Sequence, residues 1–247
     1  MIHLTSLKNP IVQRAVRIRT DKAFRLSEQL ALVVGDHLVK ELLNTPLVKT
    51  VFTLAPYQNL AAKETFFVSD EVFKKIAGVD CHDQLAALVH TPPFVPLPLA
   101  SLKAKKILVF DRLQDPGNVG TLLRSMEAFG FDLAFFLDES VDPFNEKVIR
   151  ASMGASFRVP LARGDPATLL DSGIPLIGAD MDGMSIDQFV PPKKFALVLG
   201  HEGQGLSKEL KKRAQMVKIS MCAPVESLNV AQAGAILLYF LGNTRGL

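Results

Sequence analysis

Short apolar runs of strand length alternate along the chain with segments in which apolar residues recur at helical spacing. In the first 95 residues, strands are predicted at residues 33–34, 48–54, 66–68 and 85–90. Two helices separate them: one is predicted over residues 36–43 with Asp36 as its N-cap, and one follows Ser69 and ends at Gly78. These elements are typical of a small α/β unit.

The same alternation continues from residue 106 onwards. Strands are predicted at residues 106–110, 133–137, 175–179, 195–199 and 216–219, and helices at residues 118–129, 145–153 and 228–241, with a polar helix between the last two strands. Alternating strands and helices favour a mostly parallel sheet that is covered on both faces. The predicted fold class is therefore α/β, an open, mostly parallel sheet with helices on both faces, preceded by the small α/β unit.

Four prolines between residues 92 and 98 separate the two parts. Proline has a fixed φ and no backbone N–H, so this stretch cannot lie within a helix or a central strand and is expected to form a stiff linker. The predicted organisation is a small domain over residues 1–95, a proline-rich linker over residues 91–103 and a larger domain over residues 104–247.

The last fifth of the chain holds the best candidate site. The strand at 195–199 runs into a loop with Gly200, Gly203 and Gly205, where the absence of Cβ atoms lets the backbone approach a ligand. The strand at 216–219 ends in a second loop, which leads into the long apolar final helix. Because ligands of open α/β sheets bind at the carboxyl ends of the strands, a nucleoside-containing ligand is predicted there.

Composition limits the cellular setting. The chain has 48% hydrophobic and 21% charged residues, as globular proteins do, and only two cysteines, Cys81 and Cys222. Two cysteines in unlike contexts make no disulfide framework and suit a reducing compartment. The longest apolar run is far shorter than the ~20 residues of a membrane span. These features predict a soluble, cytoplasmic protein without a membrane partner.

The first 25 residues are basic, with six Lys or Arg residues against one Asp, although the net charge of the whole chain is only +3. Apolar residues recur among them at helical spacing, so the basic side chains are expected on the remaining faces of a helix. Two interpretations are equally supported at this point: a surface that binds an anionic partner, or an ordinary solvated helix face.

Several common chemistries are excluded by motif spacing. The loop at 200–205 has the glycine spacing of a Walker A loop, but Leu206 stands in place of the phosphate-binding lysine. A Rossmann glycine motif and a serine-hydrolase elbow are both missing, and no second histidine follows His201 and Glu202 at zincin spacing. The Cys and His residues between 81 and 90 lack a second Cys/His pair, so no metal site is predicted.

Three remaining segments each follow a predicted strand. They read Asp115-Pro-Gly-Asn-Val-Gly-x3-Arg124, then Gly200-x-Glu-Gly-x-Gly-Leu-Ser207, then Ile219-x-Met-x4-Glu-Ser-Leu-Asn-Val230. In order, spacing and strand–loop–helix context they resemble the three signature motifs of the SpoU (TrmH-type) RNA ribose 2′-O-methyltransferases of the SPOUT superfamily. The resemblance covers about 140 residues, from Lys106 to the end. The first domain resembles, less specifically, the family's small RNA-recognition domain.

The resemblance implies a deep C-terminal trefoil knot, S-adenosylmethionine as the cofactor without a metal, an RNA substrate, and a homodimer formed through the knotted domain. At matching positions it implies cofactor contacts for Leu199, Gly200, Gly203, Ile219, Met221, Leu228, Asn229 and Ala231. It implies catalytic roles for Arg124, Asn118, Glu202, Ser227 and Asn229. With RNA as the substrate, the candidate RNA contacts are Arg14, Arg17, Arg19, Arg25 and Arg124.

Methyl transfer from a sulfonium to a ribose 2′-hydroxyl requires alignment of the reacting atoms and removal of a proton. Arginine is a poor base because its pKa exceeds ~12, so Arg124 is expected to hold a flanking phosphate and orient the hydroxyl, while a role as proton acceptor stays open. Glu202 can bond the amides of its own loop or reach across to Asn118 or Arg124. Ser227 can act in the site or simply cap the final helix.

The chain departs from the family pattern at four positions. Ser220 and Ala223 stand where proline and glycine are usual, and Gln232 and Gly234 interrupt a helix start that is usually rich in Ser and Ala; these changes bear on loop rigidity and cofactor affinity. Ribosomal RNA is favoured as the substrate, since a separate N-terminal domain of this size resembles the ribosomal RNA members. The alternatives are a transfer RNA 2′-O-methyltransferase and a non-catalytic RNA-binding or ribosome-assembly protein that kept the fold. An unrelated nucleotide-binding α/β enzyme is disfavoured by the glycine spacing.

Overall fold

The computed structural model describes residues 2–55, 62, 64–78, 82–222 and 227–243. Its contacts divide the chain into two compact units, formed by residues 1–92 with 144–154 and by residues 93–143 with 155–247. The first division falls at the start of the proline-rich stretch. The segment 144–154 groups with the first unit, although its sequence pattern continues that of the second. Within the described residues, no helix is both long and apolar enough to cross a membrane.

The first unit is built on a five-stranded mixed sheet. Its elements are β1 (Ile2–Leu4), α1 (Pro10–Thr20), α2 (Lys22–Glu28), β2 (Leu30–Val34), α3 (Asp36–Leu42), β3 (Val48–Thr53), β4 (Glu64–Val68), α4 (Asp70–Ala77) and β5 (Leu85–His90). The strand order is β1-β4-β3-β5-β2, with β5 antiparallel to both of its neighbours. The sequence pattern missed β1 and did not separate α2 from α1, because both are too short for periodicity to show.

Helix α1 contains three of the six basic residues of the N-terminal segment, and local sequence explains where it begins. It begins at Pro10, and the side-chain oxygen of Asn9 accepts a hydrogen bond from the backbone N–H of Ile11 at 2.9 Å. Its apolar stripe is fully buried and consists of Val12, Ala15 and Ile18. The predicted amphipathic helix is confirmed, and its basic residues lie on the other faces.

The predicted capping role of Asp36 is wrong. Gly35, with φ of +132°, is the N-cap of α3, and it makes no side-chain capping bond. The Asp36 carboxylate instead accepts the backbone N–H groups of Gln84 and Leu85 at 2.7 and 2.9 Å. Bonds between residues 48 and 49 positions apart leave no trace in local spacing. The predicted cap and stop of α4 are confirmed, with Ser69 at its start and Gly78, in the left-handed region, at its end.

The second unit, in the part that the structure describes, contains six strands that form one sheet in which all neighbours are parallel. Its elements are β6 (Lys106–Asp111), α5 (Pro116–Ala128), β7 (Leu133–Leu137), β8 (Leu161–Gly164), α7 (Pro166–Asp171), β9 (Leu176–Ser185), β10 (Phe195–Gly200), α8 (Lys208–Arg213), β11 (Gln215–Lys218) and α9 (Val230–Asn243), while α6 (Glu146–Ala151) packs on β2 in the first unit. The strand order is β11-β9-β10-β6-β7-β8. The predicted α/β class with a parallel sheet is confirmed.

Both faces of this sheet are covered. In β6, Ile107 and Val109 belong to an apolar cluster that includes Leu169 of α7 and Leu210 of α8. The alternating residue Leu108 is also fully buried. Since successive side chains point to opposite faces, apolar material must lie on both sides. Helices α5 and α9 pack against each other. The sequence pattern missed β8 and α7, each of at most six residues.

Candidate functional site

The candidate site lies where β6, β10 and β11 end. In the register of β10 with β6, Gly200 is opposite Asp111, so the loops that follow these two strands leave the sheet at the same edge. The three motif segments follow β6, β10 and β11 in turn. Parallel strands therefore bring together residues that are more than 80 positions apart in the chain, as in the hydrogen bond between Asn118 and Glu202.

The glycine loop folds back on itself after β10. A Cβ atom at Gly200 would clash with the backbone of Gly205 and Leu206, and Gly205 has φ of +67°. The loop closes through the Gly205 N–H, which donates to the carbonyl of His201 at 2.8 Å. Gly203 has no comparable constraint, because a Cβ atom added there would lie 3.9 Å from the His201 side chain, an ordinary contact distance.

Three of the predicted catalytic residues form one hydrogen-bonded chain. The Asn118 amide group donates to Glu202 Oε1 at 3.0 Å, and its own Oδ1 accepts from Asn229 Nδ2 at 3.1 Å. The same Glu202 oxygen accepts the backbone N–H of Asp115 at 3.3 Å. Asp115 in turn caps α5 by accepting the Asn118 N–H at 2.7 Å. All three motif segments thus meet through side chains.

These contacts decide the protonation of Glu202. Partial burial alone would raise the pKa of this carboxyl, but the hydrogen bond from Asn118 and the backbone N–H groups of Glu202, Asp115 and Gln114 outweigh it. The pKa of Glu202 therefore lies below its ordinary value, and the group is a carboxylate at neutral pH. Of the two predicted contacts across the site, the one to Asn118 is present.

Arg124 is placed differently from these residues. It is exposed on α5, and it makes no hydrogen bond or ion pair with any residue that the structure describes. Six positions separate it from Asn118, which at 100° per residue puts the two on different sides of the helix. The structure therefore brings together Asn118, Glu202 and Asn229 but leaves Arg124 outside their hydrogen-bonded chain.

The start of α9 corrects two expectations. The helix begins at Val230 rather than at residue 228, and Asn229 is its cap, with Oδ1 accepting the N–H groups of Ala231 and Gln232 at 2.9 and 3.3 Å. Ser227 is therefore not the cap. It lines the crevice beside the glycine loop instead.

That crevice is lined by residues of β9, β10, β11 and α9 and by residues of the two loops that follow β10 and β11. Five predicted cofactor residues are among its lining, namely Leu199, Gly200, Ile219, Met221 and Leu228. Gly203, Asn229 and Ala231 are not among the lining residues, and their cofactor contacts stay predictions. Helix α9 presents Val230, Ala233 and Leu237 to the crevice, at spacings of three and four residues. With the helix starting at Val230, Ala231 points elsewhere and is buried.

The end of β9 contributes lining residues that the sequence pattern missed. Ala179, Asp180 and Met181 border the crevice. The Asp180 carboxylate accepts from Lys211 Nζ at 2.5 Å, and this bond, followed by the N–H of Asp182, lowers the pKa of Asp180 despite some burial. The segment 180–185 is rich in Asp, Gly and Met and resembles a loop, so only its pairing with β11 identifies it as strand.

The predicted RNA-binding arginines of the first unit differ in their availability. Arg25 is only 3% exposed and donates to the carbonyls of Ile18 and Arg19 at 2.8 and 3.0 Å, so we withdraw it as a surface contact. Arg17, whose guanidinium lies 4.0 Å from the centre of the Phe24 ring, is exposed and pairs with Asp21.

The other two arginines are partly engaged within the same unit. Arg14 forms an ion pair with Glu28, with 41% of the Arg14 side chain exposed. Arg19 lies over Gly78, where a Cβ atom would clash with its guanidinium, and its Nε is buried without a hydrogen-bond partner among the described residues.

The departures in the third motif are only partly visible. Ser220 Oγ lies 3.2 Å from Ser185 Oγ, a hydrogen bond that proline could not form, whereas Ala223 lies outside the described residues. Cys81 also lies outside them, and Cys222 is an exposed free thiol. No group of three or more His, Cys, Asp or Glu side chains in the described ranges could hold a metal ion.

Comparison with known proteins identifies the family of the chain. The sequence model described as the SpoU rRNA Methylase family matches residues 105–239. The chain is 31% identical to the 23S rRNA (guanosine(2553)-2′-O)-methyltransferase RlmP of Bacillus subtilis (strain 168), over 98% of this chain and 99% of that protein.

Solved structures are similar over the whole chain. An rRNA methyltransferase from Sinorhizobium meliloti, crystallised with AdoMet bound, has a TM-score of 0.85 and 25% identity, covering 99% of this chain and 98% of the other. An RNA 2′-O ribose methyltransferase has a TM-score of 0.79 and 26% identity, covering 100% of both chains. The chain therefore belongs to the SpoU rRNA methylase family.

Proposed function

We propose that this protein is an S-adenosylmethionine-dependent methyltransferase that methylates a ribose 2′-hydroxyl in ribosomal RNA of the 23S type. The observation that carries the proposal is the hydrogen-bonded chain of Glu202, Asn118 and Asn229, which joins all three motif segments beside the crevice. Similarity to RlmP along nearly the whole chain, including the first unit, supports the choice of ribosomal RNA.

The residues of the crevice fit the cofactor. Apolar side chains such as Leu199, Ile219 and Leu228 suit an adenine ring, and the glycine loop brings backbone N–H and C=O groups to the crevice without intervening Cβ atoms. These are the residues that would hold S-adenosylmethionine. When bound, the cofactor supplies a methyl group on a positively charged sulfur, which makes that carbon electrophilic.

The chain's own residues would supply alignment. Glu202, with a lowered pKa and hydrogen bonds to Asn118 and Asp115 on one oxygen, is a weak base and serves to hold the Asn118 amide in place. Arg124 presents a free guanidinium that can bond an RNA phosphate in bidentate fashion and so orient the adjacent ribose. The methyl group would pass from the cofactor's sulfur to the 2′-oxygen, and the hydroxyl proton would leave to solvent. Arg124 would orient that oxygen through the adjacent phosphate, and Glu202 would keep the Asn118 amide in place.

The finer architecture belongs to the same proposal. We infer a C-terminal trefoil knot and a homodimer formed through the second unit. Contact between α9 and α5, and a hydrogen bond at 2.5 Å from Lys106 Nζ to the carbonyl of Gly242, place the end of α9 against the start of β6 and support this inference. Ile236 and Tyr239 of α9 are 40% and 55% exposed, which supports a partner surface on that helix.

The first unit is proposed to recognise the RNA through the exposed basic residues of α1. Arg17 and the exposed part of Arg14 are the candidate phosphate contacts, since Arg25 is buried. A cytoplasmic location is part of the same proposal.

The experiment that tests the function is transfer of labelled methyl from S-adenosylmethionine to bulk ribosomal RNA and, separately, to bulk transfer RNA, with the wild type beside Arg124→Ala. Label in ribosomal RNA that resists alkali and disappears with the substitution would support the proposal. Label in transfer RNA alone would make it a transfer RNA enzyme. Neither label nor cofactor binding would favour a non-catalytic RNA-binding protein.

A further inference from the structure

Arg112, which directly follows β6, has a backbone conformation that arginine rarely adopts. Its φ is +60°, in the left-handed region that favours glycine. Its N–H donates to Ser140 Oγ at 3.0 Å, and the Ser140 hydroxyl, itself buried, donates to the carbonyl of Phe110 at 2.8 Å. The turn is thus held in place around a residue whose side chain disfavours it. A glycine would suit this backbone better, so the reason for an arginine must lie in its guanidinium.

The guanidinium bonds two consecutive residues of the glycine loop. Its Nη1 donates to Gln204 Oε1 at 3.2 Å, and its Nη2 donates to the carbonyl of Gly205 at 3.3 Å. Its Nε donates to Asp111 Oδ1 at 3.1 Å, and this bond fixes the orientation of the planar guanidinium group.

The neighbouring carboxylate completes the contact. Asp111 is 1% exposed, and its other oxygen accepts the backbone N–H of Ser207 at 2.5 Å. Arg112 and Asp111 together hold three of the four residues from 204 to 207. These three bonds join the end of β6 to residues 204–207 at the far end of the loop. Asp111 and Arg112 therefore determine where the loop returns to the sheet.

The return point matters for the crevice. Gly205 and Leu206 pack on Gly200, and all three line the crevice with Glu202 between them. We propose that Arg112 is a positioning residue for the cofactor site: its guanidinium clamps the glycine loop so that the crevice keeps its shape and Glu202 stays on Asn118. This inference rests on the proposed function for its consequence, but the clamp itself is a property of the ligand-free protein.

The decisive variant is Arg112→Gly, which removes the clamp while relieving the backbone conformation. We expect the melting temperature to stay within about 3 °C of the wild type. Amide hydrogen exchange at Gly205 and Ser207 should rise roughly 10-fold or more, because opening of the loop becomes easier. Binding of S-adenosylhomocysteine, measured by calorimetry, should weaken by roughly 10-fold. Arg112→Lys keeps the charge but loses the planar guanidinium, so its exchange rates and its affinity for S-adenosylhomocysteine should lie between those of the wild type and of Arg112→Gly.

A matched control is Gln29→Gly. Gln29 is another non-glycine residue in the left-handed region, with φ of +50°, and it belongs to the first unit, whereas the glycine loop belongs to the second. It should leave both the exchange at Gly205 and the affinity for S-adenosylhomocysteine unchanged.

The outcomes separate the two proposals. Unchanged exchange at Gly205 and Ser207 in Arg112→Gly would overturn the clamp. A uniform rise in exchange across β6 and β10 with a large fall in melting temperature would also overturn it, since Arg112 would then be a general stabiliser. If the wild type binds no S-adenosylhomocysteine while the local exchange still rises, the clamp holds and the proposed function fails.

Discussion

The arginines of α1 and α2 and the arginine of α5 look alike in the sequence, yet their surroundings differ. Arg25 is buried and bonded to two backbone carbonyls, and Arg14 and Arg17 each pair with an acid. Arg124 is exposed and has no partner among the described residues. The charge of Arg25 stabilises a helix junction, whereas that of Arg124 is available for a ligand.

The comparison shows that an arginine is available to bind a ligand only when the fold leaves its N–H donors without partners inside the protein. A guanidinium has five donors, and when they are satisfied inside the protein its removal is felt as lost stability. When they are unsatisfied, its removal should be felt in binding or turnover. The substitutions below test this division.

The largest effect is expected for Arg124→Ala. Turnover into RNA should fall about 100-fold or more because the ribose loses its alignment, while the free energy of unfolding changes by less than about 0.5 kcal/mol. Single-turnover methyl transfer and urea denaturation measure the two quantities. Arg124→Lys should be intermediate, as it keeps the charge but loses the fork. Near-full turnover of the lysine variant would refute the fork-positioning role.

Arg25→Ala should show the reverse behaviour. Removal of the buried guanidinium leaves the carbonyls at the end of α1 unsatisfied, so the free energy of unfolding should fall by about 1–3 kcal/mol. Urea denaturation measures this, with the exposed Arg17→Ala as the control variant. Methyl transfer to RNA at a temperature where the variant is folded should be unchanged. A loss of RNA affinity without a loss of stability would return Arg25 to the RNA-binding surface.

Glu202→Gln tests a charged group in the site that does have partners. The amide keeps an acceptor for Asn118 but loses the charge, so turnover should fall by roughly 10-fold, less than for Arg124→Ala. A fall beyond that of Arg124→Ala would indicate that Glu202 takes part directly in proton transfer.

The lowered pKa of Glu202 also has a sign that can be checked. The folded state favours the Glu202 carboxylate. Its contribution to the stability of the folded state is therefore fully present above 4.5, the ordinary pKa of a glutamate, and is lost as pH falls through the lowered pKa. Cofactor affinity measured by calorimetry should therefore show no loss from Glu202 between pH 8 and about pH 5. A loss centred near pH 6 in the wild type that vanishes in Glu202→Gln would contradict the assignment.

The smallest effect is expected for Arg17→Ala. Exposed ion pairs such as that with Asp21 contribute about 0–1 kcal/mol to stability, so unfolding should hardly change. If Arg17 contacts a phosphate, RNA affinity should fall a few-fold and the slope of log affinity against log salt should become shallower by about 1. A filter-binding titration at several salt concentrations measures the slope, and an unchanged slope would exclude Arg17 from the RNA surface.

Local sequence was sufficient where the controlling interactions are local. The apolar runs located every strand of five or more residues, although the predicted strands were shorter than β2, β4 and β9. Ser69, Gly78 and the stripe of α1 were interpreted correctly because caps and helical periodicity act within one or two turns. The motif spacing was sufficient to identify the family.

Long-range contacts decided the rest. Asp36 bonds a loop 48 positions away instead of capping its helix, Arg25 is buried rather than exposed, and the end of β9 is strand only because it pairs with β11. Such partners are chosen by chain topology, which leaves no periodic signal in the sequence.

The pattern of apolar runs and the three glycine- and asparagine-containing motifs were enough to predict the fold class and the family correctly and to propose the edge of the sheet for the site, because these depend on short-range conformation and on residue type. The arrangement within that edge was decided by folding. The hydrogen bonds of Asn118 with Glu202 and Asn229, and those of Arg112 with the glycine loop, depend on distances between residues far apart in the chain. Those distances are set by how the parallel strands align and pack, which no local pattern encodes.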